Sequence, residues 1–454
     1  MKLCLLAFVS TVFLAPSLIA AEFAVATFTV DVTVPLDHGM MGGSWKSKSV
    51  ADPLYAKGVV IVGGEKPVVF VSVDWCEIRN DAYDRWRDEI AAAADTTRER
   101  VLVSSIHQHE APVADLAAQR MLEERKLVGS ICDLEFHETA VRRVGKAIWV
   151  ALQNPRKVTH LGMGQAKVKN VASNRRFELP DGGYSYSRGS ASARNVIAAN
   201  APDGTIDPWL KTLSFWNGDK PVAALHGYAT HPMSYYRTGE ISADFPGMAR
   251  ARLQQETPDC LQVYFSGASG NVTAGKYNNG SRTNRAVLAD KLYEGMAAAW
   301  KATGRVPLEQ VKFRNTQVKL TPRDAPAFQT EAMLEVLKSN TNHWKQCLAA
   351  MGLSWRKRSE EGRKIDVPVI DFGSAQLLLL PGEIYIEYQL AAQAMRPDSF
   401  VVVAGYGESA PGYIPLEKNW VEKDSNLGHW CWVNPGSEKP MMSAIRRVLV
   451  PGER

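Results

Sequence analysis

Val101-Leu-Val-Ser-Ser-Ile-His107-Gln-His109-Glu-Ala-Pro112 begins as an apolar, β-branched run and ends in two histidines one residue apart. Residues i and i+2 of an extended chain point to the same side. His107 and His109 therefore project together from the end of a strand into one cavity. Imidazoles held this way are a common start to a zinc site. Two hydrogen-bonded histidines at a strand end carry the same pattern. The decision rests on whether other strand ends supply further ligands.

The chain has 454 residues, 45% hydrophobic and 22% charged, which is globular composition with ample core for one large domain. A net charge of +5 is small for this length, and no basic run or basic–aromatic stripe points to nucleic acid. Residues 1–21 combine Lys2, an apolar run from Leu3 to Ile19 and the small pair Ala20-Ala21. That is the form of a cleaved export signal, which implies a secreted or periplasmic protein. No later stretch is long and apolar enough to span a bilayer, so the mature chain is expected to be soluble or peripheral to a membrane. Cys76, Cys132, Cys260, Cys347 and Cys431 remain after the signal. They show no C-x-x-C spacing and are odd in number, so one or two bridges are open to them and at least one thiol is left over.

Strand patterns cover 23–34, 59–62, 68–73, 101–106, 213–216, 222–228, 261–265, 375–380 and 400–404. Helical patterns cover 80–95, 134–153, 282–302, a long stretch near 327–362 and 384–395. Ser242-Ala-Asp244-Phe-Pro246 opens a further helix, with Asp244 either its cap or a supporting partner of a ligating histidine. Residues 180–206 form an irregular loop of the kind that is often functional. The tail beyond Tyr413 reads as irregular, and His38 as a surface-loop histidine. The alternation implies an α/β fold: a mixed, largely parallel central sheet flanked by helices, with a metal site at the strand carboxyl ends. The notable polar residues follow strands: His107 and His109, His231 in Thr230-His231-Pro232, the glycine-rich turn 267–275, Glu383 in Pro381-Gly382-Glu383, and Tyr413. In open α/β sheets ligands bind outside the carboxyl ends of strands. His226, five residues before His231, reads as a packed neighbour.

These segments resemble the catalytic region of the neutral/alkaline non-lysosomal ceramidases. The T-H-T-H-S-G-P motif of that family is similar to Ser105-Ile-His107-Gln-His109-Glu-Ala-Pro112. H-G-T-S-M and S-G-D-N-K-G are similar to His231-Pro-Met-Ser234 and Ser242-Ala-Asp244-Phe-Pro-Gly247. N-C-G-D-V-S-P-N is similar to Ala268-Ser-Gly270-Asn271-Val272-Thr273, N-R-S to Asn174-Arg175-Arg176, and P-G-E and G-Y-V-T-T to Pro381-Gly-Glu383 and Gly412-Tyr413-Ile-Pro415. All occur in the family's order, over about residues 28–415.

The resemblance implies that His107, His231, Glu383 and Tyr413 ligate Zn2+. It implies that His109, Arg175, Thr273 and Asn271 are catalytic: His109 and Arg175 act on a scissile amide, while Thr273, in place of a family serine, and Asn271, in place of an aspartate, orient the substrate or the water. Glu110 stands where the family has a small residue. No tyrosine follows Tyr413, and the immunoglobulin-like domain of longer members has no counterpart, leaving 22–454 as one catalytic domain. The function implied is an exported zinc-dependent hydrolase of a linear amide in a small-molecule or lipid N-acyl (ceramide-like) compound, with peripheral membrane contact compatible. The alternatives are a metal-dependent hydrolase of another small amide or ester, and a non-catalytic binding protein with a decayed site. Oligomeric state leaves no mark in the sequence.

Overall fold

The computed structural model describes residues 22–450 and 452. The segment read as an export signal lies outside the described residues. Three sheets carry the fold. The first holds β1 (Phe23–Asp31), β2 (Tyr55–Val62), β3 (Val68–Val73), β4 (Val101–Ser105) and β5 (Arg156–Val158), in the order β5-β1-β2-β3-β4. The second holds β6 (His160–Lys167), β7 (Trp209–Asn217), β8 (Lys220–Tyr228), β9 (Leu261–Ser266) and β10 (Gly304–Pro307), in the order β9-β8-β7-β6-β10. The third runs β11-β12-β13-β14 from β11 (Lys312–Val318), β12 (Ile365–Asp371), β13 (Ala375–Leu379) and β14 (Phe400–Ala404).

The expectation of a largely parallel central sheet is corrected. In each of these three sheets most neighbours are antiparallel, and within them only β3/β4, β8/β9 and β13/β14 are parallel. Each parallel pair is bridged by a helix: α1 (Asn80–Ala93) in the first, α2 (Asp244–Glu256) in the second, and α3 (Ile386–Ala394) in the third. The other connections include tight hairpins such as Gly218-Asp219 between β7 and β8. The sequence misled for a physical reason. Continuous apolar runs usually mark parallel strands buried on both faces. Here hairpin strands are also buried on both faces. Val59 and Ile61 of β2 face an inner core shared with Phe215 of β7 and Leu377 of β13, while Ala56 and Val60 face a second core beneath the helices.

The parallel edges converge. Ser105 N donates to Tyr406 O at 3.0 Å, and Gly405 N to Ser266 O at 2.9 Å. Ser266 Oγ donates to Ile106 O at 2.7 Å. The chain leaving β4, β9 and β14 is thereby laced together at one place, and those exits carry the notable polar residues.

Smaller differences have local causes. The long helical stretch is two helices, α4 (Thr330–Ser339) and α5 (His343–Glu360), and Asn342 caps the second by accepting from Lys345 N at 3.0 Å. The tail is not wholly irregular. It ends in α6 (Glu438–Leu449), which buries Met441, Ala444, Ile445, Val448 and Leu449 at helical spacing. His38 is buried, not at the surface: Nδ1–H donates to Gly39 O at 2.7 Å and Nε2 accepts from Asp133 N at 3.0 Å. Cys76, Cys132, Cys260, Cys347 and Cys431 are all free and buried, so no bridge joins them. No helix of the described residues is long and apolar enough to cross a membrane.

Candidate metal centre

His107 stands two residues past β4, with its amide donating to Trp75 O at 3.1 Å. Its φ is +66°, a left-handed conformation that costs a non-glycine residue of order 1 kcal/mol and is retained chiefly where structure enforces it. His231 leaves β8 and bridges to Thr273. Glu383 follows Gly382, whose φ of +61° makes the sharp turn after β13. Glu383 then pairs with Tyr413 in a two-residue parallel ladder, so this glutamate and this tyrosine arrive side by side. A second short ladder pairs Ser173 with Thr273 and Asn174 with Val272, and it delivers Arg175.

The donor atoms of His107, His231 and Glu383 all lie within 4.8 Å of one another. His107 Nε2 is 3.1 Å from Glu383 Oε2, and His231 Nε2 is 3.0 Å from the same oxygen. The other ring nitrogens fix the tautomers. His107 Nδ1–H donates to Cys76 O at 3.1 Å, and His231 Nδ1–H to Ser269 O at 2.6 Å. Both Nε2 lone pairs therefore face a carboxylate oxygen. Arg175 donates to His231 Nε2, but His107 Nε2 and Glu383 Oε2 are two acceptors in contact, and a cation or a proton must lie between them. Carbonyl partners on the far nitrogen are also the usual support of ligating histidines. The residues fit a divalent metal.

Electrostatics agree. Burial opposes charge on His107, but Glu383 beside it raises its pKa well above the imidazole range. Burial pushes Glu383 up, yet His107 and His231 hold its pKa well below the usual carboxylate value. Burial, with Arg175 and His107 adding to it, lowers His231 to about 4. His109 is lowered well below the imidazole range by burial and by its neighbours His107 and His231.

Arg175 closes the group. Its NH1 donates to Tyr413 Oη at 2.8 Å and to Asn426 Oδ1 at 3.0 Å; its NH2 donates to His231 Nε2 at 3.1 Å. Its Nε, buried, has no partner, and neither has His109 Nδ1. His107, His109, Glu383 and Tyr413 line a cavity of about 280 Å3, rimmed by Trp344, Ser425, Asn426 and His429. A second cavity of about 240 Å3 shares Trp344 and His429 and is otherwise walled mainly by apolar groups, including Phe328, Met333, Val336 and Leu348.

The structure brings His107, His109, Arg175, His231, Glu383 and Tyr413 together. It turns Asn271 and Thr273 to other work. Asn271 Oδ1 accepts from Ile386 N at 2.9 Å and its Nδ2 donates to Glu387 at 2.9 Å, which fixes the start of α3. Thr273 Oγ1 donates to Gly189 O at 3.2 Å and accepts from Gly275 N at 2.9 Å. Neither lines the cavity. Asp244 is the first residue of α2, whose cap is Ala243 and not Asp244 as expected; it accepts from Phe245 N and Ser234 N, and no histidine is among its hydrogen-bond partners. His226 is packed as expected, between Thr212 and Gln262.

The sequence reading missed Tyr406, whose ring stacks on His107 at 4.3 Å and 13°. Its signal was present: Gly405-Tyr406-Gly407 is a glycine-flanked aromatic directly after a strand. It also missed Glu77, whose Oε1 lies 3.8 Å from His107 Nδ1 and accepts from Trp430 Nε1 at 2.9 Å.

Residues 23–279 match the family model described as "Neutral/alkaline non-lysosomal ceramidase, N-terminal". No curated protein matches the sequence. Two solved structures are similar in fold. One, "Ceramidase complexed with C2", has a TM-score of 0.70 at 17% identity, covering 94% of this chain and 74% of that one. The other is a neutral ceramidase from Pseudomonas aeruginosa, with a TM-score of 0.68, 17% identity and the same coverage.

Proposed function

Because the chain belongs to the neutral/alkaline non-lysosomal ceramidase family, and so is a ceramidase-like hydrolase, we propose that it is an exported zinc-dependent amidase of lipid N-acyl amides. The convergence of His107 Nε2 and His231 Nε2 on Glu383 Oε2 carries this reading. His107, His231 and Glu383 hold the metal, with Tyr413 beside them as the fourth ligand. A set of two imidazoles, a carboxylate and a phenol suits zinc. Bound there, the ion supplies a Lewis acid that polarises a carbonyl oxygen and makes water acidic near neutral pH.

The chain's own groups do the rest. His109 lines the cavity as a neutral imidazole. It takes a proton from the attacking water on a ring nitrogen and returns it to the leaving nitrogen of the amide. Arg175, permanently cationic, stabilises negative charge on the carbonyl oxygen, an effect worth about 3 kcal/mol for one well-placed donor. Tyr413 Oη is oriented by Arg175. Asn271 and Thr273 are positioning residues: Asn271 holds the start of α3, and Thr273 joins the Gly189 and Gly275 backbone. The apolar second cavity, which shares Trp344 and His429 with the first, supports a substrate with a hydrocarbon tail over a small polar amide.

The test is metal analysis of purified mature protein together with hydrolysis of N-acyl amides of graded chain length. About one zinc per chain and turnover of long-chain amides are expected, both lost in His107→Ala and His231→Ala. Metal retained in both variants overturns the ligand assignment. Turnover of only short polar esters or amides overturns the lipid substrate, and intact metal without any turnover favours a binding protein. Amino-terminal sequencing of exported protein checks cleavage after Ala21.

A further inference from the structure

We infer that the cavity holds a second, thiophilic cation site formed by Cys76, His107 and His109, at which zinc or cadmium binds as an inhibitor. The three residues each present a donor atom, all within 4.8 Å of one another. All three line the same cavity. Cys76 Sγ is 3.9 Å from His107 Nδ1, and the His107 and His109 rings stand edge to face at 5.2 Å.

Two further observations separate this cluster from a chance grouping. His109 is only 8% exposed, and its buried Nδ1 has no hydrogen-bond partner. Leaving such a nitrogen unpaired costs about 1–3 kcal/mol, and a ligated cation removes that cost. The thiol is the second. Cys76 shares its chemistry with none of the ligands proposed for the first ion. A thiolate with two imidazoles selects soft or borderline ions and discriminates against calcium and magnesium. Binding replaces the Cys76 S–H bond by a sulfur–metal bond and the His107 Nδ1–H bond by a nitrogen–metal bond, and both displaced protons leave through the cavity to solvent.

The two clusters share His107. Its Nε2 faces Glu383, whereas its Nδ1 lies on the Cys76 side and donates to the Cys76 carbonyl. A cation on the thiol side competes for that nitrogen and occupies His109. Inhibition rests on the proton-carrying role proposed for His109; occupation of the site does not.

The experiment is titration of the zinc-loaded protein with cadmium, followed by sulfur-to-cadmium charge-transfer absorption in the ultraviolet, with amide hydrolysis measured in parallel. The first site offers no sulfur, so cadmium exchanged into it gives no such band. The wild type is expected to show a band that saturates near one added ion per chain, about one being the capacity of three clustered donors. Cys76→Ser is expected to lose the band, and Cys260→Ser, which removes a thiol elsewhere, to keep it. Hydrolysis is expected to fall at least about tenfold in step with the wild-type band, equivalent to ~1.4 kcal/mol. A band equally strong in Cys76→Ser, or none in the wild type, overturns the site, whatever the activity does. A Cys76-dependent band with hydrolysis unaffected supports the site and overturns its inhibitory action, which tells against His109 as the proton carrier. Circular dichroism of Cys76→Ser and Cys76→Ala, expected to match the wild type, excludes misfolding as the reason for a lost band.

Discussion

Glu110 binds Thr238 twice through one oxygen: Oε1 accepts from the Thr238 amide at 2.7 Å and from its hydroxyl at 2.8 Å. The other oxygen accepts from Trp45 Nε1 at 3.0 Å. Trp45 stacks on Tyr236, and Tyr236 packs edge-on against His109 at 5.2 Å. A carboxylate that looked out of place beside the histidine pair therefore anchors the 235–239 segment that backs His109.

Removing that anchor frees three donors and loosens the backing of His109. Glu110→Ala is expected to lower stability by about 1–3 kcal/mol, the cost of buried donors left unpaired. It should lower kcat more than it raises KM, because no substrate contact is lost. Tyr236→Phe keeps the ring and should be near neutral, whereas Tyr236→Ala should follow Glu110→Ala. Chemical denaturation and steady-state kinetics check both. Equal loss in Tyr236→Phe and Tyr236→Ala would mean that the hydroxyl, not the ring, matters.

Gly270 sits where a side chain cannot. A Cβ there would lie 2.1 Å from Glu383 O, and Gly270 N donates to Ile384 O at 2.9 Å. Gly270→Ala must push the Glu383 backbone away from the histidines. Overpacking of this kind costs ~1–3 kcal/mol, and a shifted carboxylate should lower bound zinc. Metal content and the thermal midpoint measure the effects separately. Full zinc occupancy in a destabilised variant would show that Glu383 is not held in place by this contact.

His107, His231, Glu383 and Tyr413 were legible because each directly follows a strand or a Gly turn, and that punctuation survives in sequence. The fold was legible only as α/β. Val59–Val62 and Leu377–Leu380 are apolar without alternation, and nothing local says that the second buried face meets another sheet rather than a layer of helices. β11, Lys-Phe-Arg-Asn-Thr-Gln-Val, is a polar, largely unburied strand with no pattern to detect. The roles first given to Asn271 and Thr273 came from position alone. What their side chains touch, Ile386 N and Gly275 N, is set by segments that the sequence could not place beside them.

Val336 lies on α4 in the wall of the apolar cavity, away from the cluster of histidines. Val336→Trp should fill that space. For substrates whose tails reach it, each excluded methylene forfeits about 0.8 kcal/mol, so kcat/KM for long-chain amides should fall by roughly 10- to 100-fold for two to three methylenes. Two-carbon amides should be unaffected. A uniform fall across chain lengths would place the tail elsewhere.

Glu408 offers a pH dependence through a carboxyl that is not among the proposed metal ligands. It is buried, and burial pushes its pKa up to about 7 from 4.5; Arg358 opposes the shift and Asp84 adds to it. Its Oε1 accepts from Asn80 N and Ala410 N, while Oε2 has no hydrogen-bond partner. A carboxyl whose folded pKa is raised contributes stability that is complete below its unfolded pKa and is lost as pH rises through the folded one. The window is therefore between 4.5 and about 7. Glu408→Gln mimics the protonated acid and has nothing to lose there. Any constant penalty from placing an amide near Arg358 cancels when one pair of proteins is compared at two pH values. Between pH 4 and pH 8, the wild type should lose ~3 kcal/mol relative to the variant, one pKa unit being worth about 1.4 kcal/mol. Urea midpoints for both proteins at the two pH values decide it. A difference that does not move with pH means that Glu408 stays in one protonation state throughout.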